Sequence, residues 1–540
     1  MRSDPKRPVH RVSVGGADRA PFAALALLFV AALAWRAAWA ATLPCISRDG
    51  VTFCNYAREL GERGAAYLRE PSTHQHPLYP LLVLAAQRTL RAVGFADSPL
   101  TWQSAGQLVS LFAHAGVLLL TAVLTMRLVG GSSVEGGVAP AVARRAPLMA
   151  MLLAALLPMH AWLGAEPMSD ELHLMFHLGA IATLCGMPGA MAALAGGALG
   201  GLAFLTRPEG AALTFVALAG LLRMRAGLLP RGRAALLVIV GFIAMALPYW
   251  AAVGKFSAKK DPLAAEVQLA ISDDRSRVTT ASSISPREPY FAKLERTNLD
   301  WYAILPEVAH QLFRCGRVVV PLLALAGLML VPRSAAHLRN LIVAAALGHL
   351  TLCAWLLHKH DYLDQRHLLP VVGVMTPLAG LALAQLLDGR RPVRSPALKV
   401  LLLVVMCFPL AWYSLHRPHG EDRIWPLAAA KLRETDASVR ERPILTGSSG
   451  RRLAFYTGSR WIPWFEYPED YPAIVTALER AAGGYFAVQL GEGFELRGNR
   501  EMLDRLMADP AWSGRLVEVW RATSEDARDK SELRILRVGG

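Results

Sequence analysis

The sequence predicts a polytopic α-helical membrane protein of about 12 or 13 spans, followed by a C-terminal α/β domain outside the membrane. Three observations predict it. Hydrophobic residues fill 54% of the 540 positions and charged residues only 18%, against about 25% charged in a soluble domain; the mean hydropathy is +0.32. Apolar runs near the length of a bilayer-crossing helix recur as far as residue 415 and then stop. The charge divides at the same place. Residues 417–540 hold 19 Lys/Arg and 19 Asp/Glu, leaving 38 of the 57 basic and 23 of the 42 acidic residues to the hydrophobic part.

That basic excess lies in short loops between apolar runs, so it reports topology, whereas a nucleic-acid binder gathers it on a soluble face. Nucleic acid is therefore excluded as a partner. The six cysteines show no C-x-x-C and no zinc spacing. Cys185, Cys353 and Cys407 lie in apolar runs as packing residues, and Cys45 and Cys54 share one loop in which a disulfide stays open. The first apolar run follows a basic arm (Arg2, Lys6, Arg7, Arg11, Arg19) without a small-residue cleavage site, which predicts a retained span.

Candidate spans lie at 21–43, 77–94, 101–129, 146–164, 169–187, 190–206, 209–223, 233–253, 317–332, 339–358, 366–388 and 397–415. The loops at 127–145, 223–233, 333–339 and 390–399 are basic and nearly free of acid, which places them in the cytoplasm with the arm 1–20. Loops 44–76, 165–171, 254–316 and 358–366 then face outside. This topology needs an odd number of crossings between 44–76 and 127–145, where two runs stand. Either one of them is re-entrant or interfacial, or a third crossing is hidden. The transmembrane domain is 21–416. Residues 417–540 carry short strand candidates at 443–446, 485–490, 516–520 and 533–538, separated by turns such as Gly447-Ser448-Ser449-Gly450 and Gly483-Gly484. They predict a compact extracytoplasmic α/β domain.

Ionisable groups at the ends of apolar runs are costly to bury and mark a pathway or a site. Four clusters qualify. In S-R-D-G-V-T-F-C-N-Y-A-R-E-L, Arg48 and Asp49 stand at the membrane edge, and the spacing from Val51 to Leu60 predicts an interfacial amphipathic helix. Asp49 fits both an N-cap of that helix and a catalytic carboxylate. In G-A-E-P-M-S-D-E-L-H-L-M-F-H-L, Glu166, Asp170 and Glu171 fall between two runs. Ser169-Asp170-Glu171 also reads as an ordinary helix start. His173 and His177, one turn apart, have metal-ligand spacing but no clear third ligand, so a divalent metal stays open without a ligand set. In L-T-R-P-E-G, Arg207 can bind a phosphate in bidentate fashion or pair with Glu209. The densest cluster is H-K-H-D-Y-L-D-Q-R-H-L-L-P, with His358, Lys359, His360, Asp361, Asp364, Arg366 and His367. Lys359 and Arg366 suit an anionic head group; the alternative is a snorkelling patch.

The D-G of the first outer loop, H-P-L-Y-P-L-L from His76, P-M-S-D-E-L, L-A-F-L-T-R-P-E-G and Q-R-H-L-L-P, in that order over 20–416, resemble the GT-C membrane glycosyltransferases. The family 39 protein mannosyltransferases and their aminoarabinose-transferase-like bacterial relatives are the nearest in pattern, and L-A-F-Y-T-G at 453–458 also looks like the bacterial members. The resemblance implies a polyprenyl-phosphate sugar donor and a protein, lipid or glycan acceptor at the outer face. It also implies a catalytic base at Asp49 and a second acidic position among Glu166, Asp170 and Glu171. Many relatives pair acids in the first loop; here Gly50 follows Asp49. Arg207, Lys359 and Arg366 are the candidate phosphate partners. A transporter or flippase for a lipid-linked or anionic solute is the rival from another class, and a sensor or scaffold a third. Transporters set charges near the bilayer midplane within internal repeats, whereas these charges bunch at one edge and no repeat is visible.

Overall fold

The computed structural model describes residues 19–70, 75–130, 138–186, 189–212, 214, 228–257, 301–360, 363–388, 395–415, 423–447, 450–463, 471–491, 497–523 and 531–539. Most of the basic arm, of the 254–316 loop and of the 209–223 span fall outside these residues. So do Asp361 and the side chains of Lys359 and His360.

The helices of the hydrophobic part are α1 (Arg19–Ala41), α2 (Arg48–Arg63), α3 (Leu78–Ala92), α4 (Pro99–Gly130), α5 (Pro140–Leu156), α6 (Pro158–Leu163), α7 (Asp170–Gly186) and α8 (Ala190–Thr206). Then come α9 (Leu228–Val253), α10 (Trp301–Cys315), α11 (Val319–Leu330), α12 (Ala336–His360), α13 (Leu369–Leu387) and α14 (Pro396–Leu415). The class is the predicted one, a multi-pass helical membrane protein, but the span count differs. Among the described residues six helices are long and apolar enough to cross, or seven if α10 and α11, bent by 98°, count as one.

The other predicted spans are shorter helices for visible reasons. Pro158 breaks 146–164 into α5 and α6. The 17-residue α7 and α8 reach only about 26 Å at 1.5 Å per residue. The 15 residues of α3 reach about 22 Å, short of a hydrocarbon core of about 30 Å. Among the described residues between the first loop and residue 130, α4 is the one helix long and apolar enough to cross by itself.

Packing separates lipid-facing from central helices. On α1, Phe22, Leu27 and Val30 are exposed, as are Val400, Leu401 and Phe408 on α14, whereas nearly every residue of α13 is buried. Helices α8 and α9 meet backbone to backbone. A Cβ at Gly197 would lie 2.1 Å from the Val238 carbonyl, and one at Gly241 2.2 Å from that of Leu194; small residues permit such an approach in a membrane.

Beyond α14 come α15 (Ile424–Thr435), β1 (Ile444–Thr446), α16 (Arg451–Thr457), β2 (Trp461–Pro463), α17 (Tyr471–Arg480), β3 (Tyr485–Leu490), α18 (Arg497–Ala508), β4 (Leu516–Thr523) and β5 (Glu532–Val538). The five strands form one mixed sheet, order β2-β1-β3-β5-β4. β1 lies parallel to β2 and β3, while β5 runs antiparallel to β3 and β4. All four predicted strands are present; the three-residue β2 is additional. Side chains alternate across β3. Phe486, Val488 and Leu490 join Ile474 and Leu478 of α17 and Leu503 and Leu506 of α18 in one core. Tyr485 and Ala487 face the other way, toward Trp425 and Ala428 of α15 and Phe455 and Tyr456 of α16. That second core is continuous with the one between the membrane helices, so α16 is where the sheet domain joins the membrane part.

Candidate active site

The first loop turns into α2 at Ser47. Its Oγ accepts from the Gly50 N–H at 3.1 Å, and its own N–H donates to Glu166 Oε2 at 3.0 Å. Ser47 therefore caps the helix, and Asp49 is not the cap: it stands in the first turn with its carboxylate free for other partners. Val51, Phe53, Cys54, Tyr56, Ala57 and Leu60 are buried on one side of α2, as the amphipathic spacing predicts. The two cysteines in this region are unpaired, Cys45 and Cys54 both being buried thiols; no disulfide joins them.

The Asp49 carboxylate meets Arg366, whose Nη1 donates to Oδ2 at 2.5 Å. Arg366 is held on a single 3-10 turn, Gln365–Leu368, which Asp364 caps by accepting from the Arg366 N–H at 3.3 Å. The Asp364 N–H in turn donates to His367 Nδ1 at 3.1 Å. Asp364 also lies 3.6 Å from the Arg366 Nε. One cation thus carries two carboxylates.

A second group repeats the arrangement. Arg207, in the break after α8, donates to Asp170 Oδ1 at 2.5 Å and lies 3.6 Å from Glu209. The ion pair with Glu209 expected from the sequence exists, but Asp170, 37 positions away, is the shorter partner. Asp170, Arg207, Glu209 and Arg366 line one narrow cleft, with His173, His349 and His367 around it. The structure therefore brings residues of the second, third and fourth clusters (Asp170 and His173, Arg207 and Glu209, Arg366 and His367) to one cleft, and Arg366 joins Asp49 to its edge.

Electrostatics separates the carboxylates. Partial burial of Asp49 favours its neutral form, but Arg366, Arg48 and Arg207 outweigh this and hold its carboxyl below the usual value. Glu166 is buried, and desolvation pushes its carboxyl up to about 7 against the Ser47 hydrogen bond and the Arg452 charge. Asp49 is thereby an ionised acceptor at neutral pH, while Glu166 supports the loop.

Other candidates lie elsewhere. His76 Nε2 is 2.9 Å from Ser257 Oγ, and its ring packs against Phe204 and Tyr249, apart from the arginine cleft. Arg48 is exposed, and His358 is half-buried near the end of α12. The Nδ1 of His173 is 3.2 Å from the Ala203 carbonyl, and His173 and His177 gain no third ligand among the described residues. Of the aromatic cluster near 461–467, Trp461 is described and stacks under Arg451; Trp464, Phe465 and Tyr467 lie outside the described residues.

Sequence reading missed one group. Glu171 turns away from the cleft to His160 (2.7 Å) and His114 (3.4 Å), all three buried. Their ligand atoms lie within 4.8 Å of one another, which matches a zinc ligand set in kind. Two observations do not fit a metal. Neither imidazole Nε2 has a hydrogen-bond partner, although a metal-bound imidazole is almost always held through its other nitrogen. Buried Arg36 also already lies within electrostatic reach of Glu171. The group is a buried polar cluster that ties the first turn of α7 to His114 of α4 and His160 of α6.

No family model and no curated protein matches the sequence; the likeness to known proteins lies in the fold. The crystal structure of ArnT from Cupriavidus metallidurans bound to undecaprenyl phosphate superposes with a TM-score of 0.53 at 14% identity, covering 97% of this chain and 98% of that one. The Archaeoglobus fulgidus oligosaccharyltransferase, in complex with Zn and sulfate, gives 0.54 at 12% identity over 86% of this chain and 67% of that one. AglB from the same organism, in complex with an inhibitory peptide and a dolichol-phosphate, gives 0.50 at 13% identity, covering 86% and 69%. These likenesses show the fold: over nearly its whole length the chain is built like ArnT and over most of it like the archaeal oligosaccharyltransferase, in keeping with the GT-C resemblance of the sequence.

Proposed function

We propose that the protein transfers a sugar from a polyprenyl-phosphate donor to an acceptor hydroxyl at the extracytoplasmic face of the cell membrane, with inversion at the anomeric carbon. The observation that carries this reading is the Asp49–Arg366 pair at the edge of a cleft that also holds Arg207. In solved structures of this fold the bound molecules include undecaprenyl phosphate and dolichol-phosphate, which supports a lipid phosphate as the donor's carrier.

The chemistry follows from the residues. The donor phosphate competes with Asp49 for Arg366, because a guanidinium fork fits either anion. Binding of donor therefore releases the carboxylate that the next step needs. Asp49 accepts the proton of the acceptor hydroxyl as its oxygen bonds to the anomeric carbon. The bond from that carbon to the phosphate oxygen breaks on the opposite side, and the lipid phosphate leaves with the electron pair. Arg366 and Arg207 stabilise the charge that develops on it, with Lys359 as a further phosphate partner. The acceptor is a protein, a lipid or a glycan; membrane lipid surrounds the helices, the basic arm lies in the cytoplasm, and residues 417–540 lie outside.

The test is transfer from radiolabelled polyprenyl-phosphate sugars in membranes carrying the protein, beside membranes carrying Asp49→Asn. Label reaching an acceptor with the wild type only is the expected result. If no donor turns over and a labelled anionic or lipid-linked solute instead crosses the membrane, the protein is a transporter and this reading is wrong.

A further inference from the structure

We infer that α16 of the C-terminal domain is a positioning element for the base, acting through the Tyr456 hydroxyl and Arg451. This deepens the function proposed above and rests on it. The buried Tyr456 hydroxyl accepts from the Ile46 N–H at 2.9 Å and donates to Gln103 Oε1 of α4 at 2.7 Å. Five positions before Tyr456, Arg451 Nη1 donates to Thr52 Oγ1 of α2 at 2.7 Å. Ile46 is three residues before Asp49 and Thr52 three after, so α16 grips the segment that carries the base on both sides. Between them the Ser47 N–H is held by Glu166, itself in the field of Arg452 of α16.

The arrangement ties the soluble domain to the chemistry. The carboxylate direction at Asp49 depends on where the first turn of α2 sits, and backbone N–H groups at 46 and 47 set that turn. Loss of the Tyr456 hydroxyl leaves a buried N–H and a buried amide oxygen unpaired, which drives the loop to find other partners. A shift on the order of 1 Å in a reacting group costs up to about 10²-fold in rate. The domain thus acts on turnover through α16.

Tyr456→Phe keeps the ring and removes the oxygen. Its matched control is Tyr485→Phe, which removes a hydroxyl of the same domain that donates to Asp436 at 2.6 Å, away from the loop. Expected are a fall of about tenfold or more in kcat for Tyr456→Phe, a donor KM within about twofold of wild type, and full kcat for Tyr485→Phe. Wild-type kcat in Tyr456→Phe, or an equal loss in both variants, overturns the inference. Should Tyr456→Phe not fold, Thr52→Val decides: it removes the acceptor of Arg451 at nearly constant shape, and an unchanged kcat there overturns the inference too. An active Asp49→Asn removes the functional reading itself; an inactive Asp49→Asn beside a fully active Tyr456→Phe removes only the role of α16.

Discussion

Two arginine-centred groups flank the cleft, and they differ in access to solvent. In the first, Arg366 between Asp49 and Asp364, both carboxylate side chains are 32% exposed. In the second, Arg207 between Asp170 and Glu209, they are 5% and 11% exposed. The same charges in the same order therefore do different work. An open carboxylate can exchange its cation for an incoming phosphate and then meet an acceptor. A closed one is confined to its partner, because an uncompensated charge there carries the full desolvation cost. The open group is built on two short turns, and the closed one ties the start of α7 to the break after α8. On the proposed reading the base belongs to the first group, while Asp170 and Glu209 of the second hold Arg207 in place for the phosphate.

That contrast can be broken in order of effect. Asp49→Asn should lower transfer by about 10²–10⁴-fold, the usual worth of a general base, with unchanged protein level. Arg366→Ala should cost about 10²–10³-fold and Arg366→Lys recover only part of it, since an ammonium lacks the planar fork. Equal activity of the lysine variant and wild type would show that only charge matters at that position. Asp170→Asn should act on stability instead, by roughly 3–5 kcal/mol in a melting experiment. A variant that melts with the wild type and yet fails to transfer would put both groups in the chemistry.

A smaller effect concerns pH. The folded Glu166 carboxyl sits at about 7, above its usual 4.5, so the folded protein binds more protons between those values. Its contribution to stability is greatest below pH 4.5 and declines as pH rises to 7, by about 3 kcal/mol in all. Glu166→Gln should flatten that part of the pH dependence of the denaturation midpoint. An identical slope in both proteins would assign it to other groups.

The sequence made charges on both sides of this comparison legible. Asp49, Asp170, Arg207 and Arg366 stand out because each charge interrupts or borders an apolar run. Their pairing does not, since Arg366 meets Asp49 across 317 positions and only the packing of α13 against the membrane core brings them together. Ser47 as the cap was hidden by the acid two residues on. Arg36, His114 and His160 carried a signal that went unused, as ionisable residues inside the runs 21–43, 101–129 and 146–164. Among the described residues six helices are long and apolar enough to cross, fewer than the apolar runs, because hydropathy marks a run without fixing the length of its helix, as for the 17-residue α7 and α8. The strands of the C-terminal domain were readable from β-branched and aromatic runs, but the grip of α16 on the first loop depends on a tertiary contact that no local pattern encodes.

The most direct measurement of the central claim is donor binding and transfer by Asp49→Asn in one sample. With its carboxylate neutralised, the variant should still bind the lipid-phosphate sugar, and at least as tightly because Arg366 is released, while forming product at least about 100-fold more slowly. Product formed at a rate near that of the wild type would contradict the assignment of Asp49 as the base.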